Sequence, residues 1–112
     1  MLKISAVKYF NTLPFVFGIE NSGFLKDYKL ELDMPSVCAE KAISGNVDIG
    51  LVPVAALPKL GSYQILTDYC IGAEKQVGSV LLLSAKPIRK IKKIYLDYQS
   101  NTSNLLAKVI NH

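Results

Sequence analysis

The sequence predicts an α/β lobe with a largely parallel mixed sheet and flanking helices, followed by the first strand and helix of an incomplete second lobe. Three observations lead there. Short Val-, Ile- and Leu-rich runs alternate with segments of helical length, the order that generates βαβ units with right-handed crossovers. Several of those runs are apolar throughout, as expected of strands covered on both faces. After a basic stretch the pattern starts again, with one strand and one amphipathic helix that have no sheet of their own to cover.

Residues 2–7 form the first expected strand. A polar and aromatic turn follows at Lys8, Tyr9, Phe10 and Asn11, and residues 12–20 have the apolar density of a buried helix. Pro14 fits that helix only near its start, which places Asn11 close to the N-cap. Residues 28–34 alternate apolar and charged side chains at period two, the pattern of a half-exposed strand. Ser36 is the expected N-cap of a short helix that Gly45 stops. Residues 47–52 read as a third strand, and Pro53 opens a helical segment through Leu57. Residues 63–66, 70–73 and 79–84 read as three further strands, the last apolar enough to lie centrally in a sheet. Residues 94–98 then form a strand, followed by a polar turn and a helix through Ile110. The expected organisation is therefore a first lobe at 1–86, a basic connector at 87–93 and the start of a second lobe at 94–112. Leu105, Leu106, Val109 and Ile110 need a sheet to cover. Either the sequence is a fragment of a longer chain, which is the favoured reading, or a second copy supplies the surface by dimerising or exchanging elements.

Half of the 112 residues are hydrophobic, enough for one domain with a core and against a disordered chain. The net charge of +4 is concentrated at Lys86, Arg89, Lys90, Lys92 and Lys93. No aromatic residue interleaves that run, so it reads as a solvated connector, and nucleic acid and membranes are not expected partners. The opening apolar run is too short for a signal peptide or a membrane span, and a cytoplasmic location is the expectation. Cys38 and Cys70 have no metal-type spacing with each other or with His112, and both are expected to be buried free thiols.

In open α/β sheets, ligands collect beyond the carboxyl ends of parallel strands, where helix N-termini favour anions. Four places qualify: the turn at Tyr9, Phe10, Asn11 and Thr12; the turn at Val52, Pro53 and Val54; Gly78 and Ser79; and the turn at Ser100, Asn101, Thr102 and Ser103. The last combines hydroxyls with a helix N-terminus and reads equally as a carboxylate grip or as a simple N-cap. Asn11 is either a turn residue or a neutral donor and acceptor toward a ligand. Gly78 is either a bend or a place for close backbone approach. No GxGxxG, P-loop, HExxH, CxxC or Ser–His pair occurs, so no cofactor, metal or triad chemistry is supported. Any reaction here would rest on orienting and polarising a reactive substrate with hydroxyls and amides.

The opening Ile4-Ser5-Ala6-Val7-Lys8-Tyr9-Phe10-Asn11-Thr12-Leu13-Pro14 resembles the Y-x-N-T-L-P start of the menaquinone-biosynthesis chorismate dehydratases of the futalosine route. Gly45-Asn46-Val47-Asp48-Ile49-Gly50-Leu51-Val52-Pro53, Val77-Gly78-Ser79-Val80-Leu81-Leu82-Leu83-Ser84 and the turn Ser100-Asn101-Thr102-Ser103 agree with that family in order and spacing. The resemblance runs along the whole chain, and its first motif is the specific one. It implies a type-2 periplasmic-binding-protein-like fold working as a cytoplasmic lyase, without a cofactor. The anionic substrate would be chorismate, dehydrated to 3-[(1-carboxyvinyl)oxy]benzoate. Carried over by motif, Asn11 and Ser79 are the expected catalytic residues. Tyr9, Thr12, Gly78, Ser100, Asn101, Thr102 and Ser103 are the expected substrate contacts. Members of that group are much longer, so the 112 residues alone are expected to be inactive or nearly so. A cytoplasmic small-anion sensor of the same fold is the alternative.

Overall fold

The computed structural model describes residues 1–23 and 26–111; the single histidine, His112, lies outside them. It is a mixed α/β structure on a three-stranded parallel sheet of order β2-β1-β3. Strand β1 (Leu2–Val7) is central, and β2 (Tyr28–Asp33) and β3 (Ile49–Gly50) flank it. Helix α1 (Leu13–Asn21) connects β1 to β2, and α2 (Pro35–Ile43) carries the chain from β2 past β1 to β3. A 3-10 helix (Val54–Lys59) follows, then a 3-10 turn (Ile88–Lys90) and helix α3 (Asn101–Ile110).

As the central strand, β1 has Ile4, Ser5 and Ala6 buried, in keeping with its apolar sequence. It pairs with β2 along its whole length, from Leu2 opposite Tyr28 to Val7 opposite Asp33. The third strand is shorter than expected, pairing only Ile4 with Ile49 and Ser5 with Gly50. Hydrogen bonds from Asp48 N to Lys3 O and from Leu51 N to Ser5 O, both 2.9 Å, extend the ladder by one residue at each end. Asp48 also accepts Lys3 N on its carboxylate at 2.8 Å, which fastens the start of β1.

In α1, Thr12, Phe15, Val16 and Ile19 are the less exposed positions, a spacing that places them on one helical face. Pro14 sits in the first turn, as expected, and the N-cap is Thr12, next to Asn11. Helix α2 starts earlier than expected from Ser36: Met34 is its N-cap and Pro35 its first residue, where a missing N–H costs nothing. It packs on β1 and β3 through Cys38 and Ala39, both buried. Gly45, at φ +70°, stops it, with Gly45 N bonded to Ala42 O and Asn46 N to Lys41 O. That pair of bonds closes the helix in a Schellman motif that needs a left-handed residue at Gly45.

The half-exposed reading of β2 fails on one face. Leu32 is 43% exposed, whereas Glu31 and Asp33 are partly covered. Both carboxylates project to the same side of the strand. Lys41 of α2 reaches them, with its ammonium 2.7 Å from Glu31 and 2.5 Å from Asp33. Lys29 adds a 2.6 Å contact to Glu31, and Ser5 donates to Asp33 at 3.2 Å. The hydrogen bonds and charges of Lys29 and then Lys41 hold the Glu31 carboxyl at about 2, well below its ordinary value. Asp33, and after it Glu31, raise Lys41.

The strands expected at 63–66, 70–73, 79–84 and 94–98 do not form. A strand exists through its pairing, and the β3 edge offers only two residues to the chain that follows. Cys70 is accordingly exposed rather than buried, while Cys38 is buried as expected, its thiol pushed up chiefly by that burial. No helix among the described residues is long and apolar enough to cross a membrane.

The ion-pair cluster sets the acid response of the fold. Because Glu31 is lowered in the folded state, its contribution is complete above pH ~4.5, the ordinary carboxylate range, and declines as pH falls toward 2. Glu31→Gln should remove that component of an acid titration followed by circular dichroism. Lys41 is raised, so its contribution holds below the ordinary lysine range and is lost above it. Lys41→Met should lower the melting temperature at neutral pH and flatten both limbs of the pH–stability profile. Unchanged limbs would mean that the three side chains are independent of folding.

Candidate functional site

The turn after β1 is built by backbone hydrogen bonds. Lys8 N donates to Asp33 O at 2.8 Å, Tyr9 N to Val7 O at 2.9 Å, and Thr12 N to Tyr9 O at 3.0 Å. These wind Phe10, Asn11 and Thr12 into a 3-10 turn that runs directly into α1. Tyr9, Phe10 and Asn11 are exposed at the carboxyl end of the central strand. Thr12 is 1% exposed, and its hydroxyl is the only buried side-chain oxygen or nitrogen without a partner among the described residues. An unsatisfied buried hydroxyl costs about 1–3 kcal/mol, so this atom is a latent donor and acceptor at the base of α1.

The turn at Val52, Pro53 and Val54 leads into the 3-10 helix, whose buried Ala56 sits near α2 and α3. Gly78 and Ser79 lie in exposed chain outside any strand. A side chain at Gly78 would meet nothing within 4 Å, so no close approach requires glycine there.

At the fourth place the hydroxyls are engaged with each other. Ser100 is the N-cap of α3, its Oγ accepting from Ser103 N at 3.3 Å and bonded to Ser103 Oγ at 2.8 Å. Asn104 donates from its amide to Asp97 O at 2.7 Å, which ties the preceding chain to the helix. Thr102 is exposed and Asn101 half-buried.

Asn101 opens onto a cavity of about 170 Å³ together with Ile43, Lys59, Leu105 and Lys108. Its two ammonium groups and two asparagine amides, Asn101 and Asn104, suit a small anion chemically. Sequence reasoning missed Lys59 and Lys108. Asn101, Asn104 and Lys108 share the i, i+3, i+7 spacing of one helix face, a signal that could have found one of the two lysines.

The structure thus brings Asn101 together with the end of the 3-10 helix but does not join it to the Asn11 turn. No hydrogen bond or ion pair among the described residues links Tyr9, Phe10, Asn11 or Thr12 to Gly78, Ser79 or residues 100–103, and the Asn101 cavity is lined by none of the first six. Among the described residues no group of three His, Cys, Asp or Glu is placed to hold a metal ion.

The Ser100 cap has a measurable weight. Ser100→Ala should cost about 1 kcal/mol in the local stability of α3 and raise amide exchange in its first turn. Thr102→Ala should leave both unchanged; equal effects would remove Ser100 from the capping role.

No solved structure matches the chain. A family model described as menaquinone biosynthesis matches residues 2–112, from the first residue of β1 through α3 and beyond. That is nearly every residue, and it is the family to which the motif around Asn11 pointed. The chain belongs to the menaquinone-biosynthesis family.

Proposed function

We propose that this chain forms part of a chorismate dehydratase, which removes water from chorismate to give 3-[(1-carboxyvinyl)oxy]benzoate in menaquinone biosynthesis. The observation that carries the reading is the Tyr9-Phe10-Asn11-Thr12-Leu13-Pro14 segment. It stands at the carboxyl end of the central parallel strand, in a chain matched along its length by that family. Ligands of parallel α/β sheets collect at that end. The sheet supports reading residues 1–86 as a lobe of the periplasmic-binding-protein type, with a second lobe beginning near residue 94.

The chemistry suits the side chains available. Loss of a proton and a hydroxide from adjacent ring carbons makes the ring aromatic, so the step is downhill and asks mainly for orientation and polarisation. The exposed Asn11 amide can donate to the departing hydroxyl or to a carboxylate, and Ser79 offers an exposed hydroxyl. The substrate carboxylates would be met by Asn101 with Lys59 and Lys108, and by Thr102, whose hydroxyl is exposed. The Ser100–Ser103 hydroxyl pair would first have to exchange its mutual bond for a ligand. Thr12 holds an unpartnered hydroxyl directly beneath the turn.

The test is to incubate the longest polypeptide carrying this sequence with chorismate and follow the aromatic product by chromatography. Product should form, and Asn11→Ala should lower turnover about 100-fold with little change in melting temperature. Equal loss of turnover and stability would make Asn11 a turn residue only. Chorismate binding without product would replace the enzyme by a small-anion sensor of the same fold.

A further inference from the structure

The turn that carries Asn11 joins β1 to α1, and among the described residues a single hydrogen bond ties residues 8–12 to any other element: Lys8 N to Asp33 O at 2.8 Å. No side chain of residues 8–12 has a hydrogen-bond or ion-pair partner among the described residues. The place of the Asn11 amide therefore depends on where the Asp33 carbonyl is held. Asp33 ends β2 and pairs with Val7, which ends β1. In the sheet order β2-β1-β3, β2 is an edge strand with β1 as its one neighbour among the described residues, and the end of such a strand frays readily.

The Asp33 carboxylate restrains this end. It receives Lys41 from α2 at 2.5 Å and the buried Ser5 from β1 at 3.2 Å. Lys41 lies about two turns along α2 from the Met34 cap, so its contact reaches back across the junction between β2 and α2 and fixes it. The Asp33 and Lys41 side chains are mostly covered, which makes their pairing more directional than that of two solvated charges. Glu31 shares the same ammonium at 2.7 Å, but it pairs with Ser5 and makes no bond to the turn.

We infer that, given the reading of this turn as part of the site, Lys41 is a positioning residue for it: Lys41 holds Asp33, and Asp33 holds Lys8, so that the Asn11 amide is presented at one place beyond β1. Loss of the ammonium frees the Val7–Asp33 pair to open and takes the acceptor of Lys8 N with it. A displacement of about 1 Å at a group that orients a reaction can cost ~100-fold. The effect falls on orientation rather than affinity, because in the same reading the substrate carboxylates are met at Asn101, Lys59, Lys108 and Thr102.

Amide hydrogen exchange and steady-state kinetics on the longest polypeptide carrying this sequence test this together. Lys41→Met should raise exchange of the Lys8 amide about 10-fold. The Lys3 amide, held by the Asp48 carboxylate at the other end of β1, should stay within about twofold. With chorismate, Lys41→Met should lower kcat about 10-fold and change KM by less than about twofold. Glu31→Gln weakens the same ion-pair cluster and should leave both the Lys8 amide and kcat as they were, an outcome that a loss of stability alone would not give. An equal rise at Lys3 and Lys8, a fall in kcat matched by Glu31→Gln, or a rise in KM at unchanged kcat would overturn the positioning role. Absence of product from the unsubstituted protein would overturn the dehydratase reading alone, since the exchange pattern decides the hold of Lys41 on the turn without substrate.

Discussion

Asp33 joins the two halves of this structure through two different chemistries at one residue. Its carboxylate receives Lys41 from α2 and Ser5 from β1, and its carbonyl oxygen receives Lys8 N at the first step of the turn that carries Asn11. The packing of α2 and the start of the candidate site are thus anchored on neighbouring atoms. The charges are only partly covered, with 20% of the Asp33 and 25% of the Lys41 side chain exposed, so salt screens them incompletely. Burial alone would leave α2 free to slide along the sheet, since Cys38 and Ala39 are small and make undirected contacts. The ion pair adds the direction.

The sequence reveals local structure here better than pairing. Strands β1 and β2, helices α1 and α3, the Pro14 position and the Gly45 stop were all legible, because each depends on side chains within a few residues of one another. The strands expected at 63–66, 70–73, 79–84 and 94–98 were not formed, because composition reports the capacity to pair and says nothing about whether an edge is on offer. The covering of the Glu31 and Asp33 face was equally hidden, since it requires Lys41 ten and eight residues away to arrive on a helix. A charged residue at period two reads as solvent-facing until its counter-ion is placed.

The candidate site divides along the same line. That residues 9–12 would form a turn at the end of a central strand followed from their place between an apolar run and a proline-started helix. That the Ser100 hydroxyl would be committed to Ser103 did not follow, because a hydroxyl before a helix serves a cap and a ligand with the same geometry. The lysines beside Asn101 escaped notice for a different reason. Lys59 and Lys108 lie near the C-terminal ends of their helices, where a cation has a sufficient local explanation in the helix dipole.

The strand order has a bearing on how the protein is made. The central strand precedes both of its neighbours in the sequence, and the second of them bridges 45 residues between Lys3 and Asp48. Until residue 51 is available to bond Ser5, the most apolar strand has an open edge, and such edges recruit other chains. Pairing over that separation is slow in comparison with forming α1 or α2. A growing chain of this kind therefore depends on its charged ends, Lys3 on one side and Lys8 on the other, to keep a nascent hydrophobic strand dispersed until the sheet closes around it.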